Sequence, residues 1–501
     1  MTTSRVTTTG DLREAVETFI AQAVQPSVLD AGEEPLSLVP GQWQLREWNG
    51  RLVLEAWDGQ RSLVRKIVRL GEQHRDRISL VTERFPKTEG ETRIADLGAP
   101  AGIAMGRKTS RLAFTARFGL LLAREFPDWQ VSEVSAEPNM EHSLSPLYTR
   151  ALLRLGSQMI AAVAAPPDSD DPAGIVAQGL VWLARLRQRE KNRGIGQLFL
   201  FVPRGTEAGA ALRASFLNPN AVVCHMQTYD ERDRVAPVEF SDLGNARSTL
   251  PPCHRPATPN SGPDSIPALE GVDRVPQADG SIRFQVHGLE FARWTGSRLT
   301  CTLGQPSRCS LAELEAMARE LARLRNPDAC DPQHPLYTRF PEGWLESAVR
   351  RQPQTIDAGL LPAPLYGQVP VLLGHGRDVV DILAVDHTGR LVVIELKAAP
   401  DMQLPFQALD YWARVNRHLA AGEFERQGYF PGVTLRREPP RLLLAAPALA
   451  FHSTTETVLG FLAPGIDVTR VGVAENWRRE LRVMFRLTGS QRPDEGIRIS
   501  E

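Results

Sequence analysis

The chain has 501 residues, 42% of them hydrophobic and 23% charged, with a formal net charge of -1. That length is too great for one core, so two or three domains are expected, and the composition excludes wholesale disorder. A charge so close to zero also excludes the global basic field that marks many nucleic-acid binders, so any DNA contact must come from local patches. The opening MTTSRVTTTGDLREAVETF has no apolar stretch behind its basic residue, and no later apolar run is long enough to cross a bilayer. A cytoplasmic protein with no membrane partner is therefore expected. Cys224, Cys253, Cys301, Cys309 and Cys330 form no even, closely spaced framework, which points to reduced thiols. Cys224-His225 and Cys253-His254 lack the short spacing of a zinc site.

Residues 1–110 read as a small β-rich domain, a meander of WQLREW, RLVLEAW and SLVRKIVRL. Asn49-Gly50 and Asp58-Gly59 separate these runs, and such pairs are the strongest short hairpin signals. Over 111–230 the pattern becomes α/β. It runs helix LAFTARFGLLLAREF, strand WQVSEVSA, an apolar stretch broken at Gly156, helix GIVAQGLVWLARLRQREK, strand QLFLFVP, helix EAGAALRASFL and strand AVVCHMQTY. Residues 231–279, rich in Pro, Ser and Asp, read as a linker. Residues 280–333 form a connecting module of one strand, IRFQVHGLEFARW, and one helix, LAELEAMARELARLR, with Ser310 as its N-cap.

The last domain, 334–501, has the order α-β-β-β-α-β-α-β. Its elements are GWLESAVRR, LYGQVPVLL, the hairpin RDVVDILAVDHTGRLVVIELKAA turning at His387-Thr388-Gly389, then LPFQALDYWARVNRHLAA, RLLLAAP, TETVLGFLA and DVTRVGVAE. The fold class of the whole is multidomain α/β. Glu395 and Lys397 are two apart on one strand and share a face, with Val393, while Ile394 and Leu396 point into the opposite, helix-packed layer. Asp381 lies across the turn from Glu395 on the partner strand. Two carboxylates and a lysine on apolar strands are costly unless paired or bound to metal. A buried structural salt bridge is one account of them. The other is a Mg²⁺ or Mn²⁺ site of Asp381, Glu395 and the Leu396 backbone carbonyl, with Lys397 orienting or deprotonating a water.

The string GRDVVDILAVDHTGRLVVIELKA, with Gln407 and Tyr411 following in QALDYW, resembles the PD-(D/E)xK nuclease superfamily, and within it the C-terminal domain of NucS-like endonucleases. The resemblance covers about the last third of the chain. It implies a restriction-endonuclease-like αβββαβ domain, with an acidic residue from the first helix, an Asp and an E-x-K from the hairpin, and a Gln with a following Tyr from the next helix. Carried over position by position, these are Glu346 as a further catalytic and metal-binding carboxylate, Asp381, Glu395 with Lys397, and Gln407. Glu346 has a rival reading as a solvated helix carboxylate, and Tyr411 and Trp412 one as core packing. Asp378 should face away from Asp381, and Asp386 lies near the turn.

The implied function is an Mg²⁺- or Mn²⁺-dependent endonuclease that hydrolyses DNA phosphodiester bonds, in repair or in defence against foreign DNA. A non-catalytic nucleic-acid-binding or scaffolding protein on the same fold, and a nuclease directed at RNA, stand as alternatives. Arg350, Arg351, Arg414, Arg417, Arg426, Arg436, Arg437, Arg478 and Arg479 are consistent with phosphate contacts and say no more. Cutting both strands would require two centres, hence a homodimer. The central α/β domain is also read as a degenerate copy of the nuclease fold, because its elements come in the same order. Matching Gly156 to Gly389 places Tyr148, Ala162 and Ala164 where Asp381, Glu395 and Lys397 stand. The competing reading is that α/β domains share alternating elements anyway.

Overall fold

A computed structural model describes residues 8–84, 88–191, 194–240, 250–253, 266, 268–277, 281–296, 298–328, 331–370 and 379–489. Thr8 opens helix α1 (Thr9–Gln22) through a capping box with Asp11, an element absent from the expected meander. Strands β1 (Pro26–Asp30), β2 (Leu36–Ser37), β3 (Trp43–Trp48), β4 (Arg51–Trp57), β5 (Ser62–Gln73), β6 (Arg77–Arg84) and β7 (Thr88–Asp96) follow. They form one sheet in the order β2-β1-β7-β6-β5-β4-β3. Asn49 and Gly50, with φ of 51° and 71°, reverse the chain between β3 and β4, as that pair leads one to expect. Val16 and Phe19 of α1 pack on Leu52, Leu54, Ile78 and Ile94.

Helix α2 (Pro100–Glu125) starts at Pro100 rather than Arg111, with proline in its first turn, where a missing N–H costs nothing. Then come β8 (Gln130–Ser135), β9 (Thr149–Leu155), β10 (Gln158–Ala164), α3 (Ile175–Arg189), β11 (Gln197–Pro203), α4 (Glu207–Ala214), β12 (Val223–Tyr229) and β13 (Val235–Pro237). Two ends of the expected linker are strand: β13, and β14 (Asp273–Pro276). The connecting module is a five-stranded sheet of β14, β15 (Ile282–Val286), β16 (Leu289–Trp294), β17 (Leu299–Cys301) and β18 (Ser307–Arg308), backed by α5 (Leu311–Leu324). The single strand expected over IRFQVHGLEFARW is instead a hairpin, because His287 and Gly288 take φ of 46° and 74° and fold β15 back onto β16. Ser310 caps α5 in a capping box with Glu313.

The last part holds α6 (Pro335–Thr338), α7 (Pro341–Arg351), α8 (Pro353–Ile356), β19 (Tyr366–Pro370), β20 (Val379–Val385), β21 (Leu391–Leu396), α9 (Leu404–Ala420), α10 (Glu423–Arg426), β22 (Arg441–Pro447), α11 (Thr455–Leu459), β23 (Val468–Val473) and β24 (Val483–Thr488). The strand order is β19-β20-β21-β22-β23-β24, and that of the central sheet is β8-β9-β10-β11-β12-β13. In both, the first three strands are antiparallel neighbours, the third and fourth are parallel, and the last two are antiparallel. A helix precedes each sheet, a long helix joins its third and fourth strands, and a short one joins its fourth and fifth.

The chain divides into two compact units, Met1–Glu207 with His225–Pro237, and Ala208–Cys224 with Val238–Glu501. Both are mixed α/β. Among the described residues, no helix is long and apolar enough to cross a membrane.

Candidate active site

Strands β20 and β21 are antiparallel with Ile382 opposite Ile394, so continuing the register by one residue sets Asp381 opposite Glu395. Ile382, Ala384, Ile394 and Leu396 pack against Trp344, Leu345 and Val349 of α7. The alternate positions, Asp381 and Glu395 among them, face the other side of the sheet, where α9 lies along β21 and β22. Helices therefore cover both faces rather than only that of Ile394 and Leu396.

The carboxylates are held in a poorly solvated place. Glu395 is 4% exposed and, among the described residues, its Oε2 has no hydrogen-bond partner. Burial first, then the charge of Asp381 and that of Asp401, push its carboxyl well above the usual range against the pull of Lys397. Asp381 is pushed up to about 6 by burial, against the Leu396 N–H that donates to its Oδ2 at 2.9 Å and against Lys397; Glu342 adds to the rise. Lys397 Nζ lies 3.3 Å from Asp401 Oδ2. Among the described residues, no group of three or more His, Cys, Asp or Glu gathers as a metal cage. Mg²⁺ does not require one, since it is held by one or two carboxylates and keeps several waters. A buried carboxylate oxygen without a partner among the described residues, beside a second, half-buried carboxylate, fits such a hard cation.

This arrangement is unfavourable without a cation, which yields a stability prediction. Glu395 holds its proton more tightly folded than unfolded, so its penalty is absent below the ordinary carboxylate pKa and grows as pH rises. Glu395→Gln should therefore melt higher than the wild type in chelator at pH 7, with the gap closing toward pH 4. Removing an unsatisfied buried carboxylate is worth about 1–3 kcal/mol, and each kcal/mol corresponds to about 2–4 °C in a domain of this size. Mn²⁺ should raise the melting temperature of the wild type and not that of the variant. A lower melting temperature for Glu395→Gln in chelator would show that the carboxylate is a stabilising partner.

The other expected residues are placed as follows. Glu346 is buried, its Oε1 is 3.5 Å from Arg350 Nη1, and it lines a cavity of about 430 Å³ with Asp273, Arg274 and Arg351. A Cβ on Gly367 of β19 would stand 2.7 Å from that same Oε1 and 2.7 Å from Arg350 Nη1, the ends of two flexible side chains that would have to shift to make room for it. The α7 carboxylate whose field reaches Asp381 is Glu342, one turn earlier. Gln407 is half-buried in the first turns of α9. Buried Arg213 of α4 grips that helix on either side of it, through Gln403 Oε1 at 3.3 Å and Asp410 Oδ2 at 2.8 Å. Tyr411 is half-buried under Arg414, and Trp412 is buried with its Nε1–H on the Pro440 carbonyl. Asp386 is structural: although burial opposes it, the Thr388 hydroxyl, the N–H groups of Arg390 and Thr388, and Arg441 keep its carboxyl below the usual range. Asp378 lies outside the described residues.

Glu342, Asp401 and Arg213 were not legible as site residues. For Asp401 a signal existed, since it stands four residues after Lys397 before a helix. The arginines are less available than their number suggests. Arg350, Arg351, Arg426, Arg436, Arg437 and Arg479 each lie within ion-pair distance of a carboxylate, and Arg478 stacks on Trp477. A cavity of about 870 Å³ in the first unit, lined by Glu34, Arg61, Arg117 and Asp168, is also mixed in charge.

The central sheet corrects the expected correspondence. The face of Ala151, Leu153, Ala162 and Ala164 packs on α2, as that of Ile382, Ala384, Ile394 and Leu396 packs on α7. Val163 pairs with Leu200 as Glu395 pairs with Leu444, and Ala165 N–H donates to the Phe201 carbonyl as Lys397 N–H does to that of Ala445. Arg150 is opposite Val163. The positions matching Asp381, Glu395 and Lys397 are thus Arg150, Val163 and Ala165, not Tyr148, Ala162 and Ala164. Matching the turns by their glycines fails because they differ in length, and a one-residue slip moves every side chain to the wrong face. Gln178 of α3 matches Gln407, and it is buried on the backbone of Ser145 and Ser143.

No known family model matches the chain, and no curated protein does. Among solved structures it is similar to EndoMS in its apo form, with 13% identity and a TM-score of 0.14, over 39% of this chain and 86% of that one. A likeness that faint carries no argument about function.

Proposed function

We propose that this chain is a divalent-cation-dependent endonuclease that hydrolyses DNA phosphodiester bonds, with Asp381, Glu395 and Lys397 as its reaction centre. The observation that carries the reading is the buried Glu395 oxygen beside Asp381, which has no hydrogen-bond partner among the described residues, with Lys397 on the same strand face. Asp381, Glu395 and the Leu396 carbonyl would hold Mg²⁺ or Mn²⁺, which supplies polarisation of phosphate oxygens and a more acidic bound water; Glu346, expected as a further ligand, lies instead beside Arg350 in another cavity. Lys397 orients the attacking water and neutralises charge growing on the phosphate oxygens. Asp401, within 3.3 Å of its Nζ, fixes the direction in which that side chain extends. The water gives up a proton as its oxygen bonds to phosphorus, the bond from phosphorus to the leaving deoxyribose oxygen breaks, and that oxygen takes up a proton from solvent, so that one water is consumed per bond cut. The test is cation-dependent cleavage of DNA that disappears in Glu395→Ala.

Gln407 sits in the first turns of α9, between the two grips of Arg213 on Gln403 and Asp410. Gln407→Ala should lower the cleavage rate by about tenfold to a hundredfold, the size expected of a residue that supports a site without being part of the reacting unit. Its melting temperature should stay within about 1 °C of the wild type, since a half-buried polar truncation is worth a few tenths of a kcal/mol. A large drop in melting temperature with unchanged rate would make Gln407 a structural residue.

A further inference from the structure

After α4 the chain reads Phe216-Leu217-Asn218-Pro219, and after α11 it reads Phe461-Leu462-Ala463-Pro464. The two stretches are hydrogen-bonded alike. Phe216 N–H donates to Arg213 and Phe461 N–H to Val458; Leu217 to Ala214 and Leu462 to Leu459; Ala221 to Asn218 and Ile466 to Ala463, all on backbone carbonyls. Each follows the short helix that precedes the fifth strand of a six-stranded sheet, and the two sheets share one strand order.

These stretches also bind each other, inside the second compact unit. Leu217 and Leu462 form an antiparallel bridge. Asn218 N–H donates to the Phe461 carbonyl at 2.8 Å, and Ala463 N–H donates to the Phe216 carbonyl at 2.8 Å. Equivalent residues thus serve as donor and acceptor in turn. That reciprocity defines an isologous contact, the kind made between two copies of one chain about a two-fold axis.

Resting on the nuclease reading above, we infer that this chain is a covalently joined pseudo-dimer with one reaction centre, and that it cuts one strand of duplex DNA per encounter. The strands of a duplex are antiparallel, so a two-fold nuclease offers one centre to each. Here one of the two centres is Asp381, Glu395 and Lys397, and the equivalent positions are Arg150, Val163 and Ala165. A guanidinium repels a cation, and neither aliphatic side chain can ligate one or activate water. The first copy keeps the contact surface and has lost the chemistry. The surface on which a second chain would seat its own loop is filled by Phe216-Leu217-Asn218.

The experiment uses the full chain with supercoiled plasmid and Mg²⁺, alongside light scattering at micromolar protein. The expected result is the mass of one chain, a cleavage rate linear in protein concentration, and open-circular DNA accumulating essentially to completion before any linear product. Direct conversion to linear DNA, or a mass of two chains with a rate that rises as the square of concentration, would overturn the inference while leaving the nuclease reading intact. Absence of cleavage on every form of DNA would overturn both, and only then would the nuclease reading itself have failed.

Discussion

Asp381→Ala, Glu395→Ala and Lys397→Ala are each expected to lose cation-dependent cleavage by on the order of a thousand-fold or more, the loss seen when a member of a reacting unit is removed. All three act on one assembly of water, cation and phosphate, so their losses should not multiply. The triple variant should be no slower than the slowest single. Each single variant should still fold, because the apolar layer beneath the site, from Ile382 through Leu396 to Trp344, is untouched. Circular dichroism and a cleavage time course on the same preparations separate the two effects. Retained cleavage in Glu395→Ala would remove the assignment.

Arg150→Ala should do the opposite, leaving the cleavage rate unchanged and destabilising the fold. Arg150 is 3% exposed, and its guanidinium donates to the carbonyls of Ser145 at 2.7 Å, Tyr148 at 3.4 Å and Glu137. It thereby ties the stretch before β9 across the place where a metal aspartate would stand. Truncation leaves those acceptors without their donor in a buried setting, at a cost of about 2–4 kcal/mol. Urea unfolding of the full chain should show the loss in the transition that reports the first unit. If Arg150→Ala instead lost cleavage at unchanged stability, the central sheet would be part of the reaction centre.

The sequence was most readable where period and turn chemistry agreed. The alternation of VVDILAV and LVVIEL, joined by a turn ending in Gly389, is enough to set Asp381 opposite Glu395. Asn49-Gly50 was equally plain. His287-Gly288 was less plain, because it is not one of the Asn-Gly or Asp-Gly pairs, although the apolar alternation changes phase there, from Ile282, Phe284 and Val286 to Leu289 and Phe291. Strands β13 and β24 escaped notice because edge strands are short or polar on alternate positions. The same limit applies to the site. Glu395 and Lys397 share a strand face by arithmetic, whereas the field of Glu342 at Asp381 and the grip of Arg213 on α9 arise only from the packing of α7 and α4. The repeat was legible as element order, yet its residue correspondence required the sheet register, since the two hairpin turns differ in length.

The central claim is that a cation at Asp381 and Glu395 serves to cut DNA. Its most direct test is incubation of the purified chain with single-stranded, duplex, branched and mismatched DNA, in Mg²⁺, in Mn²⁺ and in chelator, with Glu395→Ala run in parallel. The account predicts cleavage of at least one of these DNAs in the presence of either cation, none in chelator and none by the variant. Cleavage that survives both the chelator and the Glu395→Ala substitution, or no cleavage of any DNA by the wild-type chain, would contradict it.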